Sequence, residues 1–380
     1  MFKRFLAIVA IVALMLAAPW LLSQLPIRTH SFLEEAAPPF SGVITIGVAQ
    51  NFRAGQNGNL TWLEKCVAHY EKVHPGVKIV LRQVIPSLAQ AVLQGTAPGD
   101  VPDILLFSPG VINSPEALLT PLSYDNDTII GAFLQSAYVG DTLYALPLAA
   151  GSYALLANSA YLKAAQAFIA PQEEQAPADY LSTLLNALSQ VKMRTKVKSD
   201  VIACPTSFDG SGLLALCTTG TASDAQIKQG RWDKLWGQFV LDQSYAIYVG
   251  TQREITRMAQ LQANGAAFDW EVLPTLPTYC DQVLYGALPK NSNNEDTPAR
   301  AACLKLLNYL TGAQAQGELS QSGLFSIASG ITLYTEESPL HTLEEGLRAQ
   351  HLIVPNAYSY SFSSLPKTAE EAQRALQQLK

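Results

Sequence analysis

Apolar and polar positions along this chain follow two rhythms. Short, almost uninterrupted apolar runs bounded by Gly, Pro, Asn or Asp recur at GVITIGVA (42–49), VKIVLRQV (77–84), VPDILLFSP (101–109) and QVLYGALPK (282–290). Runs of that length and content are strands buried on both faces. Between the first two, LTWLEKCVAHYEKVHPG sets Leu60, Leu63, Val67, Tyr70 and Val73 near a 3.6-residue period, and His74-Pro75-Gly76 ends the helix. A smaller helix around 86–95 separates the second strand from the third. Strand, helix, strand, helix, strand predicts a parallel sheet covered by helices.

The pattern then changes. GDTLYALPLAAGSYALLANSAYLKAA (140–165) reads as strand, small-residue patch, second strand and helix. Residues 176–192 form an amphipathic helix, KVKSDVIACPTSF a strand-like segment, and GSGLLALCTTG a loop running into a helix. Helices are predicted over 223–243 and 252–263, and strands in AFDWEVLPTLP and QVLYGALPK. TPARAACLKLLNYLTG has Thr297 as N-cap, Pro298 at the first helical position and Gly312 at the end. TAEEAQRALQQL closes the chain as a helix with the same kind of cap.

The amino terminus follows neither rhythm. Lys3 and Arg4 precede an uncharged apolar run from Phe5 to Leu22, long for a signal peptide and just long enough for a membrane span. The basic end stays in the cytoplasm, so the chain after about residue 25 is expected outside. A cut after Ala18 would leave Leu16 two residues upstream and Pro19 just beyond, and no cysteine precedes Cys66 to serve as a lipoprotein anchor. Cleaved signal and retained anchor both stay open for residues 1–27. Residues 28–41, RTHSFLEEAAPPFS, are an aperiodic polar spacer.

Composition narrows the class. At 380 residues the chain is long for one core, so two lobes are expected. Hydrophobic residues at 48% and charged residues at 15% fit a folded globule. A net charge of -6 with no Lys/Arg run argues against a nucleic-acid binder, which needs a basic face.

Reactive constellations are missing from the sequence. The five histidines, His30, His69, His74, His341 and His351, form no His-Glu-x-x-His pattern, and neither a Gly-x-Ser-x-Gly elbow nor a Gly-Lys-Ser/Thr loop occurs. One Ser-x-x-Lys match, Ser189 to Lys192, lies on an amphipathic helix without partner motifs. Glu173-Glu174 and Glu336-Glu337 read as solvated surface. Five cysteines without a Cys-x-x-Cys pair give a zinc site no support, and their odd number leaves one thiol unpaired. Cys66 is expected as a buried thiol; Cys204 and Cys217 are either a disulfide or two core thiols. Binding without catalysis, cofactor or metal is the expectation.

In this order, four segments resemble the carbohydrate-binding, maltose-binding-like family of ABC-transporter extracellular solute-binding proteins. They are WLEKCVAHYEKVHPGVKIVL, GDTLYALPLAAGSYALLANSAYLKAA, FDWEVLPTLP and TPARAACLKLLNYLTGAQAQGELSQSGLFS. The resemblance implies an α/β, two-lobed periplasmic-binding-protein-like fold of type II. Lobe 1 would comprise 42–148 and 288–335, and lobe 2 149–287 and 336–380. It also implies a monomer that closes on a sugar or oligosaccharide and delivers it to ABC permease subunits. Ala149, Ala150, Gly151 and Ser152 would form the hinge, where small residues tolerate backbone rotation. The usual Gly-Lys-Ala-Ala-Met segment reads GTQREITRM here, and Ala157 stands where Tyr is common.

A sugar site needs flat aromatic rings and planar polar groups on loops at the carboxyl ends of strands. Gln50, Asn51, Phe52 and Arg53 follow the first strand, and Phe107 and Ser108 the third. Tyr153, Phe208, Asp209 and Trp270 are expected from the second lobe, Tyr285 and Gly286 at the second crossing, and Tyr358 and Tyr360 in the late aromatic segment. Trp62 is expected in the core, and Trp232 and Trp236 as helix packing. Three alternatives remain: a sensor or assembly protein on a retained anchor, the same fold binding a polyamine, metal complex or organic anion, and an exported enzyme.

Overall fold

The computed structural model describes residues 40–52, 61–124, 128–169, 177–191, 201–206, 211–220, 222–265, 268–274, 277–290, 298–349, 351–361 and 364–379. The apolar segment 5–22, the spacer before Phe40, and Arg53, Phe208 and Asp209 lie outside them.

The expected strand–helix–strand opening is present. Strand β1 (Gly42–Ala49), helix α1 (Thr61–Val73), β2 (Val77–Gln83), α2 (Pro86–Leu93) and β3 (Ile104–Phe107) follow in order, and β1 pairs in parallel with both β2 and β3. Two short helices, α3 (Pro115–Leu118) and α4 (Gly131–Gln135), and a small hairpin, β4 (Tyr138–Val139) with β5 (Thr142–Leu143), lead to β6 (Leu146–Ala150). The chain then enters a second sheet through β7 (Tyr153–Asn158), α5 (Ser159–Gln166), α6 (Pro177–Gln190), β8 (Ile202–Thr206), α7 (Gly212–Thr219), β9 (Ile227–Arg231), α8 (Trp232–Val240), β10 (Ile247–Thr251), α9 (Gln252–Ala263) and β11 (Trp270–Val272). It returns with β12 (Val283–Ala287), followed by α10 (Pro298–Thr311), α11 (Ala313–Gly317), α12 (Pro339–Gly346) and α13 (Ala369–Leu379).

The strand order is β2-β1-β3-β12-β6 in the first sheet and β11-β7-β10-β8-β9 in the second. The first sheet is parallel over β1–β3 and antiparallel where β12 enters between β3 and β6. The second is parallel over β10, β8 and β9, with β7 and β11 antiparallel. This is the mixed α/β, two-lobed arrangement the resemblance implied.

Three details differ from the sequence reading. The lobe boundary at 287 assigned Val283–Ala287 to the second lobe, whereas β12 pairs in the first sheet. Residues 336–380 are expected in the second lobe; α12 does pack on α9 there, whereas Tyr358 packs on Phe107 of the first sheet. The helix expected over 223–243 is split. Ser223 caps one tight turn, Ile227 is then buried as β9 runs parallel to β8, and helix resumes only at Trp232. Pairing along the sheet edge outweighs helical propensity there.

Cross-links fix the first lobe. Trp62 is fully buried, and its indole N–H donates to the Ala315 carbonyl at 2.6 Å. Gln316, also fully buried, donates through Nε2 to the carbonyls of Leu148 and Leu310 at 2.7 and 2.8 Å. Its Oε1 accepts from the Ser326 hydroxyl and the Ile327 amide at 2.8 and 3.2 Å. One amide side chain thus ties α11 to the end of α10, to β6 and to the segment beyond.

All five cysteines are free, so the disulfide alternative for Cys204 and Cys217 gives way to two separate thiols. Burial pushes Cys204 up to about 12 and Cys217 to about 11.

Candidate ligand-binding site at the lobe crossings

Both sheets turn their carboxyl edges toward the segments that connect the lobes. Gln50 and Asn51 follow β1, Ser108 follows β3, and the first crossing, Gly151-Ser152, joins β6 to β7. The second crossing runs from β11 through Tyr279, Cys280, Asp281 and Gln282 into β12. The third is the late segment, where Ile353 bridges Tyr279 and the Ala357 carbonyl accepts from Gly110 N–H at 2.8 Å, before α13 packs on α7.

The first two crossings interlock closely. Gly151 N–H donates to the Gln282 carbonyl at 2.7 Å, and Ser152 N–H donates to Gln252 Oε1 at 2.8 Å. A Cβ on Gly151 would stand 2.4 Å from Gln282 Oε1 and 2.8 Å from Gln252 Nε2. A side chain here would have to push aside the ends of both glutamines, which pack directly over the glycine. Ala149, Ala150 and Ser152 are all buried, so the expected hinge residues sit together at this crossing. A register shift between Leu284 and Tyr285 in the β12–β6 pairing lies directly beside it.

The third pass joins them at one carboxylate. Asp281 is 4% exposed and has no cationic partner among the described residues. Its Oδ1 accepts from the Tyr153 hydroxyl at 2.8 Å. Its Oδ2 accepts from Tyr360 at 2.6 Å, from the Ser211 amide at 2.8 Å and from Tyr279 at 3.2 Å. Burial raises the Asp281 pKa above its ordinary value, and these donors, Tyr360 first, oppose the rise. Burial, reinforced by the Asp281 charge, likewise pushes Tyr153 and Tyr279 well above the usual tyrosine range, so all remain donors.

Several polar atoms near the crossings are closed off from solvent and have no protein partner. They are both amide atoms of Gln50 in the first lobe, Gln282 Oε1 at the crossing, and Gln252 Nε2, the Tyr248 hydroxyl and Arg257 Nη1 in the second lobe. A buried polar group without a partner is unfavourable by about 1–3 kcal/mol, so these are places where a solute's hydroxyls would gain most. Beside them, Trp232 carries the guanidinium groups of Arg253 and Arg257 at 4.9 and 4.8 Å from its ring centre. Its indole N–H donates to Glu254 at 3.1 Å.

The structure brings together some of the sequence-expected residues. Tyr153 and Tyr360 meet at Asp281. Asn51 N–H donates to the Ser108 hydroxyl at 3.0 Å, joining the loops after β1 and β3. Phe52, Phe107, Tyr285 and Tyr358 are buried in the first lobe's core, where Phe107 packs against Tyr285 and Tyr358. Gly286 lies inside the same sheet, with Leu307 2.7 Å from where a Cβ would be. Trp270 pairs with Asn158, at the opposite end of β7 from Tyr153, and its indole donates to Gln262. Sequence reasoning missed Asp281, Gln252, Gln282 and Tyr248. Trp232, expected as packing, both packs and lines a cavity in this region. Among the described residues no cluster of His, Cys, Asp or Glu could hold a metal ion.

A family model described as "Bacterial extracellular solute-binding protein" matches residues 54–317. No curated protein sequence matches the chain. Among solved structures, the sugar-binding protein MalE of Xanthomonas citri superposes with a TM-score of 0.60 at 14% identity, over 89% of this chain and 97% of its own. The ABC substrate-binding protein Lmo0181 of Listeria monocytogenes, in complex with cycloalternan, gives 0.57 at 13% identity over 90% and 98%. UgpB of Mycobacterium tuberculosis, in complex with glycerophosphocholine, gives 0.55 at 15% identity over 90% and 98%.

Proposed function

We propose that this chain, which belongs to the family of bacterial extracellular solute-binding proteins, captures a sugar or oligosaccharide between its lobes and delivers it to an ABC permease. The supporting observation is the set of buried, unpartnered amide and hydroxyl groups of Gln50, Tyr248, Gln252 and Gln282 around the crossings. Sugar hydroxyls donate and accept, and so match a mixture of amide N–H, amide carbonyl and phenol. Binding to this set stabilises a closed arrangement of the lobes, which the permease recognises. The protein holds its solute without converting it and acts as a monomer, and the apolar segment 5–22 exports it or anchors it on the outer face of the membrane.

Two of the similar structures support the sugar class, being a sugar-binding protein and a complex with cycloalternan. A second reading, a phosphate-bearing solute, is favoured by the similarity to a glycerophosphocholine complex and by the paired arginines on Trp232. The test is the thermal stability of the full chain, in mild detergent, against neutral oligosaccharides, glycerophosphodiesters and polyamines. A ligand that binds only the folded state stabilises it by about 2.7 kcal/mol at a hundredfold excess over Kd. A rise with neutral oligosaccharides supports the sugar reading, a rise confined to a control solute replaces it, and no rise with any removes it.

A further inference from the structure

Next to the crossings, a small cavity of about 40 Å³ lies at the carboxyl edge of the second sheet, between Tyr153, Trp232, Tyr248, Thr251, Glu254 and Gln282. A site of this size holds about three waters, the bulk of one hydroxymethyl arm and not of a sugar ring. Two of its wall groups are polar, almost fully buried and unpartnered: the Tyr248 hydroxyl and Gln282 Oε1. The first can donate or accept, and the second only accepts.

The remaining charges on this wall are already engaged. The Glu254 carboxylate accepts from the Thr251 hydroxyl at 2.7 Å, from the Thr251 amide at 3.0 Å and from the Trp232 indole at 3.1 Å. Arg253 also lines the cavity, and its guanidinium lies over the Trp232 ring. At the two open groups an incoming anion would face the Gln282 carbonyl oxygen and the nearby Glu254 carboxylate, with the Arg253 guanidinium held over the Trp232 ring. An ammonium would find three of the carboxylate's roughly four acceptor sites already taken. A neutral hydroxyl, able to donate to Gln282 while exchanging a hydrogen bond with Tyr248, meets both open requirements.

We infer that this cavity is a subsite for one hydroxymethyl arm of an uncharged sugar, with Tyr248 and Gln282 as the residues that select it. The inference rests on the sugar reading above and adds to it the position and the partners. The observation that sets the subsite apart from ordinary core is that these two polar groups have no partner within the protein.

Replacing Tyr248 by Phe therefore has an unusual signature. The substitution removes a hydroxyl that makes no hydrogen bond to the protein, so the stability of the empty protein stays nearly level. Affinity for the sugar falls about tenfold, the loss of one hydrogen bond of ordinary strength. The experiment uses the full chain with maltotriose, raffinose, chitotriose and glycerophosphocholine as probes, measured by calorimetry on the parent protein and on Y248F. A neutral trisaccharide that binds the parent, and binds Y248F about tenfold more weakly at unchanged folded stability, supports the subsite. Equal affinity for both proteins overturns the subsite and leaves the sugar reading standing. Binding of glycerophosphocholine alone overturns both the subsite's preference for uncharged solutes and the sugar reading. Silence from every probe removes the sugar reading and the subsite with it.

Discussion

The Asp281 network makes one prediction whose size and pH dependence both follow from geometry. Replacing Tyr360 by Phe removes a hydroxyl that donates at 2.6 Å to a carboxylate only 4% exposed, and leaves the ring in place. A hydrogen bond to a buried charged group contributes about 1.5–3 kcal/mol net, so Y360F should lose that much at neutral pH. The bond is made to the ionised carboxylate, and burial already holds Asp281 above its ordinary pKa of 3.8. Without the Tyr360 donor the folded pKa rises further. The gap between the two proteins is therefore full at neutral pH and shrinks as pH falls through the raised values, because a protonated Asp281 no longer needs the donor. Urea unfolding followed by fluorescence at pH 7 and pH 5 measures both effects, with the midpoint moving and the slope unchanged. Tyr153→Phe, which acts on the other carboxylate oxygen, completes a double-mutant cycle with a coupling of about 0.5–3 kcal/mol. A loss below about 0.5 kcal/mol at pH 7, or a gap that widens on acidification, would refute the account.

Three further outcomes are expected. Gly151→Ala forces a Cβ against two buried glutamine side chains, and should reduce stability by about 1–3 kcal/mol in the same unfolding assay; an unchanged midpoint would show that the crossing has room. Gln316→Leu strands two carbonyls, a hydroxyl and an amide that this side chain satisfies, and should lose about 3 kcal/mol or more, against less than 1 if the side chain only fills space. With all five cysteines free and Cys66, Cys204 and Cys303 pushed up to about 12 by burial, the folded protein should react slowly with a thiol reagent and the unfolded protein should expose five thiols. A reducing agent that lowers the unfolding midpoint would reveal a disulfide and contradict this.

Local pattern carried most of the scaffold. The apolar run 42–49 coincides with β1, and the strand–small patch–strand reading of 140–165 coincides with β6, Gly151-Ser152 and β7, because continuous burial and backbone close approach leave direct marks on residue type. The candidate site was less legible. Asp281 stands alone in TYCDQVLYG, and its partners Tyr153 and Tyr360 are 128 and 79 residues away. A carboxylate held by donors from three separate passes has no spacing to read. Aromatics were ambiguous for a related reason: Phe107 and Tyr285 sit on strands buried on both faces, where an apolar run looks the same whether a ring faces a solute or the core. Trp232 was read by helical spacing as packing. Its place at the end of β9, a strand hidden inside a helix-like stretch, is what brings it to the carboxyl edge.

Three covalent connections between two bodies would ordinarily permit both sliding and rotation. Here all three passes meet at a single pair of oxygen atoms, reached by Tyr153 from the first, by Tyr279 from the second and by Tyr360 from the third. Each pass is therefore placed by the other two through the same carboxylate, and the connection between the sheets is set by one shared anchor rather than by three separate ones.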